Sequence, residues 1–245
     1  MVYYLKQILL WTGLIALGAL ISSCGKSQIE EIPPNEIIAR SAKRMAALTG
    51  FEFVVDRSGA PAFLDTNETI AFRRAEGQYV TPNRVYTKVR VIAPGLVTEV
   101  QLINIDGEQW ETNLLTGEWQ PSDTRYTFNP ALLFDPNKGI PFILANHLIN
   151  IALTGMEELP EVPGKKLYAI EADMQGETAY QMTYGMIDKE PLKVKVWVEP
   201  NTFEAYRIIL VDPIGAGEEE STTWQIDFWN FDNQFEIQKP VLKNE

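Results

Sequence analysis

The chain is 245 residues long, 45% hydrophobic and 11% aromatic, with a formal net charge of −12 at neutral pH. That hydrophobic share excludes a disordered chain and suits one domain with a sizeable core. The acidic balance excludes a nucleic-acid surface and broad electrostatic adhesion to anionic headgroups. A single cysteine and a single histidine exclude an internal disulfide and the usual structural zinc sites.

The first predicted element is a signal. Lys6 precedes the apolar run Ile8–Ile21, which matches a signal core of roughly 7–15 residues. It falls short of the about 20 residues that a spanning helix needs. Ile21-Ser22-Ser23-Cys24 has the order of a bacterial lipobox, in which cleavage precedes a cysteine carrying diacylglycerol on sulfur. The expected organisation is a signal peptide over 1–23, a lipidated tether over 24–34 that starts at Cys24, and a single domain over 35–245. A thioether lipid plus an acylated amine supplies two or three chains, and stable anchoring takes about two. The expected location is the extracytoplasmic face of the cell membrane, held by lipid.

Pro33-Pro34 closes the tether. A helix is predicted from about Glu36 to Leu48, with Ile38, Ala42, Met45 and Ala46 on one stripe, Asn35 as cap and Gly50 as stop. Period-two patterning follows. Phe51, Phe53 and Val55 alternate with Glu52, Val54 and Asp56, and Val85, Thr87, Val89 and Val91 alternate with Arg84, Tyr86, Lys88 and Arg90. Turn signals at Pro94-Gly95, Asp106-Gly107 and Thr116-Gly117 join short strands into an antiparallel meander.

Between Asn129 and Gly155 the meander is interrupted. Ile140 to Leu153 reads as one mostly apolar helix, started by Gly139 and Pro141 and stopped by Gly155. Strands resume near Lys165. Leu192, Val194, Val196 and Val198 share one face of the next, followed by Tyr206–Val211, with Ile208 and Leu210, and Thr223–Trp229, with Trp224, Ile226 and Phe228. Phe235–Gln238 reads as a short last strand, and Glu177–Tyr184 as a weak third helix. The fold class is therefore α+β: an antiparallel sheet with helices inserted.

Catalytic patterns are sparse. His147 sits in an apolar pattern; as a base it would need a nucleophile and an orienting carboxylate, and no G-x-S-x-G elbow exists. It reads as a buried, hydrogen-bonded histidine. Gly25-Lys26-Ser27 lacks the earlier glycine of a phosphate loop, where Leu20 stands. Asp135-Pro136-Asn137-Lys138-Gly139 reads as a turn before a helix rather than a calcium loop. Asp227, Asp232 and Glu236 could form an acid pair, but nothing sets a separation between them. The reading is of a protein that is not an enzyme, has no catalytic or metal-binding residue and uses no cofactor. The bulky apolar inner faces either fill a plain core or leave a dry pocket.

The stretch Phe128–Gly139 resembles a segment of the mycobacterial LppX/LprA/LprF/LprG lipoprotein family. In order with it stand Glu76-Gly77-Gln78-Tyr79 leading to Pro82, Leu115-Thr116-Gly117-Glu118-Trp119, Val196-Trp197-Val198-Glu199 and Ile226–Phe231. The resemblance implies a strongly curved antiparallel half-barrel sheet with helices packed on its concave face, similar to the LolA and LolB carriers. It implies a hydrophobic cavity for a multi-acyl lipid or glycolipid, moved from the cytoplasmic membrane outward by a monomer working beside a lipid exporter. On that reading the cavity candidates are Ile143, Leu144, Leu148 and Ile151 on the second helix. Val89, Val91, Val196, Val198, Ile208 and Leu210 join them from the sheet. The alternative is a structural or regulatory envelope lipoprotein with a filled core, acting through protein partners. A hydrolase would require a solvent-open cleft grouping His147 with a serine and a carboxylate.

Overall fold

Pro33 and Pro34 set the start of the first helix, α1 (Pro34–Ala46), because proline is accommodated in a first turn that has no N–H partner to lose. The structure, a computed structural model, describes residues 32–65, 67–122, 128–214 and 219–243. Among these, Pro33 onward forms one unit, so Cys24, the signal and most of the tether lie outside the described residues. Ile37, Ile38, Ser41, Ala42 and Met45 form the buried stripe of α1, the i, i+3, i+4 spacing of an amphipathic helix. Two boundary expectations are corrected. Asn35 lies inside the first turn and Pro33 holds the cap position, with no side-chain cap bond. Gly50 does not stop the helix, which closes at Ala47. Instead Gly50 opens β1, where a Cβ would stand 2.3 Å from the Asn233 carbonyl oxygen, closer than packed atoms tolerate.

Twelve strands follow: β1 (Gly50–Ser58), β2 (Ala62–Phe63), β3 (Ala71–Val80), β4 (Arg84–Ala93), β5 (Leu96–Ile105), β6 (Glu108–Thr112), β7 (Trp119–Pro121), β8 (Leu148–Glu158), β9 (Lys166–Met174), β10 (Leu192–Val198), β11 (Ala205–Asp212) and β12 (Thr222–Trp229). They make one antiparallel sheet in the order β7-β6-β5-β4-β3-β1-β12-β11-β10-β9-β8, with β2 paired to β3. The first and last strands of that order do not pair, so the sheet is an open half-barrel. The three predicted turns join β4 to β5, β5 to β6 and β6 to β7. Positive φ at Gly95, Asp106, Gly107 and Gly117 is the backbone those tight turns demand.

The interruption is shorter than the sequence suggests. A 3₁₀ turn (Pro130–Phe134) leads to α2, which covers only Ile140–Asn146, and α3 spans Gly176–Met182. The second half of the expected long helix is β8. Asn146, His147 and Asn150 are poor helix formers, and Ile149, Ile151 and Thr154 are β-branched. The helix closes at His147, and β8 pairs with β9 from Leu148↔Met174 to Glu158↔Lys166, with Asn150 (φ 54°) at a register shift between Ile149 and Ala152. Phe235–Gln238 is a second correction, since it joins no ladder. Its Ile237 packs with Ile103, Ile105 and Trp110 on the convex face, so the apolar pattern reports burial without pairing.

One carboxylate clasps α1 to the sheet. Asp232, just past β12, accepts from the Thr49 N–H at 3.0 Å and from Arg44 at 2.5 Å, and Arg44 also reaches Glu204 at 2.7 Å. Burial pushes the Asp232 pKa up, but the bonds from Thr49 and Arg44 outweigh it and hold the group below the ordinary aspartate value. A carboxylate depressed in the folded state contributes stability that is complete above its unfolded pKa of about 3.9 and is lost as pH falls through the folded value. Asp232→Asn is expected to lower the thermal midpoint at neutral pH and to flatten its fall below about pH 4. Identical acid limbs for the two proteins would remove Asp232 from the account.

Candidate functional site

The register puts alternate residues of each strand on the concave side, and the half-barrel leaves space there. A cavity of about 500 Å³ is enclosed by the sheet, the 3₁₀ turn, α2, α3 and the segment after α3, within the roughly 300–1,000 Å³ of small-molecule sites. Every strand from β6 to β9 along the sheet order places a residue on its wall, from Glu111 and Val100 through Ala75, Phe53 and Ile226 to Val194 and Met174. Strands so far apart can share one cavity only if the sheet curls around it.

Phe128–Gly139 builds one end. Asn129 caps the 3₁₀ turn by accepting from the Ala131 N–H at 2.9 Å. This aims Phe134 into a ring cluster, 4.6 Å from Phe53, 5.1 Å from Phe51 and 5.3 Å from Tyr79 between centroids. Asp135 then closes the expected turn, its side chain accepting from the Asn137 N–H at 2.7 Å and its carbonyl from the Gly139 N–H at 2.7 Å. At Gly139 a Cβ would lie 2.3 Å from the Leu133 carbonyl oxygen. Only glycine lets α2 start so close to the turn before it, which swings Ile140, Ile143 and Leu144 over the cavity.

The wall is apolar, and much of its polar minority is tied to backbone. Thr87 donates to the Glu76 carbonyl at 3.0 Å, and Thr183 donates to the Ala179 carbonyl at 2.7 Å. Asn113 accepts from Leu115 and Thr116, and the Thr112 hydroxyl accepts from the Gln101 N–H at 2.9 Å. Asp65 accepts from the Thr69 hydroxyl and from the Ile70 N–H, which, with the Thr69 and Asn67 amides, hold its carboxyl below the ordinary range. Chemically, such a surface can take apolar groups out of water.

Of the sequence candidates, Val89, Val91, Ile143, Leu144, Leu148, Ile208 and Leu210 stand on this wall. Leu148 does so as the first residue of β8, not from a helix. Ile151, also on β8, is half-buried and away from the cavity. Val196 and Val198 face the concave side but are fully buried. They belong to packed core where α1 covers β10, and Val194 takes the cavity position on that strand. Sequence reading missed Phe53, Phe72, Ala75, Met182 and Met186 as wall residues. The β1 alternation was the available signal for Phe53 and Val55, whereas the seven-residue α3 gave none for Met182 and the segment after it none for Met186.

The catalytic alternatives are not assembled among the described residues. His147 caps α2, with its Nδ1 3.4 Å from the Thr178 hydroxyl and its ring against Phe142. Asp227 pairs across strands with Arg207 at 2.5 Å, and Asp232 is taken up by Arg44. No group of three or more His, Cys, Asp or Glu among the described residues is placed to hold a metal.

Sheet, helices and cavity together define an apolar-cavity binding domain on an open antiparallel half-barrel. A family model described as the LppX_LprAFG lipoprotein matches residues 33–237. The chain belongs to the LppX_LprAFG lipoprotein family, as the resemblance indicated. Among solved structures, LprF from Mycobacterium bovis is similar at 13% identity and a TM-score of 0.64, covering 85% of this chain and 97% of that one. The Mycobacterium tuberculosis lipoprotein LppX is similar at 12% identity and a TM-score of 0.57, covering 84% and 98%. At such identities the likeness is one of fold. No curated protein matches the chain by sequence.

Proposed function

We propose that this protein is a membrane-anchored envelope lipoprotein that holds a multi-acyl lipid or glycolipid in the cavity and carries it from the cytoplasmic membrane outward. The observation that carries the reading is the cavity itself: about 500 Å³ with walls of valine, leucine, isoleucine, phenylalanine and methionine. The lipobox at Cys24 would keep it beside its donor membrane and raise the local encounter concentration. Each methylene is worth about 0.8 kcal/mol of burial, so exposing a sixteen-carbon chain costs on the order of 12 kcal/mol. A cavity that replaces bilayer contacts lowers that barrier without making or breaking a bond. Val89, Val91, Ile143, Leu144, Leu148, Ile208 and Leu210 would touch the acyl chains, and a lipid exporter would be the natural source of cargo.

The test is native mass spectrometry on the chain starting at Gly25, gently purified from bacteria. The sheet, helices and cavity are all built from Pro33 onward as one unit, so this form keeps the site. An adduct with the mass of an acyl lipid is expected, and fragmenting it would give the lipid class. A clean protein mass after incubation with mixed envelope lipids would overturn the reading in favour of an envelope lipoprotein that acts through protein partners.

A further inference from the structure

The strand register brings several connections to one end of the half-barrel. Ile92 pairs with Ala71 and Ala93 with Leu96, so the β4–β5 turn projects past the start of β3. The β2–β3 loop, with Leu64, leaves from the same level, because Phe63 pairs with Ala71. The end of β11 arrives there too, Asp212 opposite Thr222, and leads to Ile214. At this end Ile92, Leu96, Val97, Leu64 and Ile214 are large apolar side chains left exposed, Val97 at 64%. From Val91 to Thr98 the hairpin carries no charge. Just below, Arg90 and Glu99 neutralise one another at 2.9 Å.

Leu64 ties this end to the cavity, since it is 40% exposed and also lines the cavity wall. An apolar finger with no flanking net charge gains by entering hydrocarbon and offers little to a polar partner rim. The exposed cations of this end, Lys189 and Lys193, are paired with Glu177 and Asp173 at 3.3 and 2.6 Å. Exposed Glu219, Glu220 and Asp188 lie in its loops, which leaves no net positive charge to pull it toward anionic headgroups. We propose that the β4–β5 hairpin tip, Ile92 to Val97, inserts into the surface of a lipid bilayer and sets the Leu64 end of the cavity against it. Docking would then be apolar, tolerant of salt and independent of anionic lipid. The proposal rests on the cavity reading only for the purpose of the docking.

The probe is a vesicle of pure phosphatidylcholine, and the protein is the chain from Gly25, which holds no cysteine of its own. Val97→Cys, labelled with an environment-sensitive fluorophore, is expected to shift to the blue on vesicles and to be quenched by doxyl-labelled lipid, equally at low and high salt. Met156→Cys is the control: it is apolar and 45% exposed but lies on β8 opposite Tyr168, toward the other end of the half-barrel, and its label should not respond. The double variant Leu96→Asp, Val97→Asp should lose at least about tenfold in vesicle partitioning while keeping its lipid adduct in native mass spectrometry. Unchanged partitioning of that variant, a response at position 156 equal to that at 97, or binding that requires anionic lipid would each overturn the docking proposal. The first of these would make the tip a protein-binding surface. Loss of the adduct from the unaltered chain would instead count against the cavity reading, so the two failures are distinguishable.

Discussion

Phe134→Ala is expected to cost about 3–5 kcal/mol of folding stability, the range for truncating a buried aromatic ring. The side chain is 4% exposed and its ring meets Phe51, Phe53, Tyr79 and Phe228 at centroid distances from 4.6 to 6.3 Å. The pairs with Phe51 and Phe228 are edge-to-face and add about 0.5–1.5 kcal/mol each beyond area, and Phe134 is the one large buried side chain of the 3₁₀ turn. Against a total stability of about 5–15 kcal/mol, the loss is large. Phe53 also lines the cavity, so the hole left behind would extend the cavity at that end. Phe134→Leu should cost distinctly less, because most of the volume remains. Denaturant melts of the two variants check this, and a loss under about 1 kcal/mol for Phe134→Ala would mean that the turn is held by something other than its ring.

The second large effect separates cavity from core with one side chain placed at two positions. Ala75→Trp, in the middle of β3, projects an indole into space that the cavity already provides. It should leave the fold intact and abolish the lipid adduct. Val196→Trp puts the same indole where exposure is zero and no cavity wall exists. Overpacking a filled core costs about 1–3 kcal/mol for a few extra methylenes, and an indole exceeds that, so this variant should lose its cooperative melt. A thermal melt beside the native mass spectrum reads both. If Val196→Trp folds and Ala75→Trp does not, the assignment of space inside the half-barrel is reversed.

Much of the fold was legible because strands with one face buried write a period of two into the sequence. The β4 alternation of Val85, Thr87, Val89 and Val91 against Arg84, Tyr86, Lys88 and Arg90 reappears as buried against mostly exposed positions. The dipeptides Asp106-Gly107 and Thr116-Gly117 mark hairpins because their backbone must take positive φ. The apolar run after Gly139 failed for the opposite reason. A short helix and an edge strand, each half-covered, together imitate the composition of one longer helix. Only the closing of the helix at His147 and the pairing to β9 from Leu148 onward divide them.

The cavity shows the same divide more sharply. Val194 and Val196 are two residues apart, identical in type and on one face, yet Val194 lines the cavity and Val196 is packed solid. No local pattern can separate them, because the difference is whether α1 covers that part of β10. Residue order alone carries the lipobox pattern at Cys24, the antiparallel meander, the turn at Asp135 and the family to which the chain belongs. All of these are written in near-neighbour residue order. The curl of the sheet, the height at which the helices cover it and the gathering of apolar turns at one end emerge only on folding. Those depend on contacts between strands far apart in the chain, and a cavity is the volume such contacts leave unfilled.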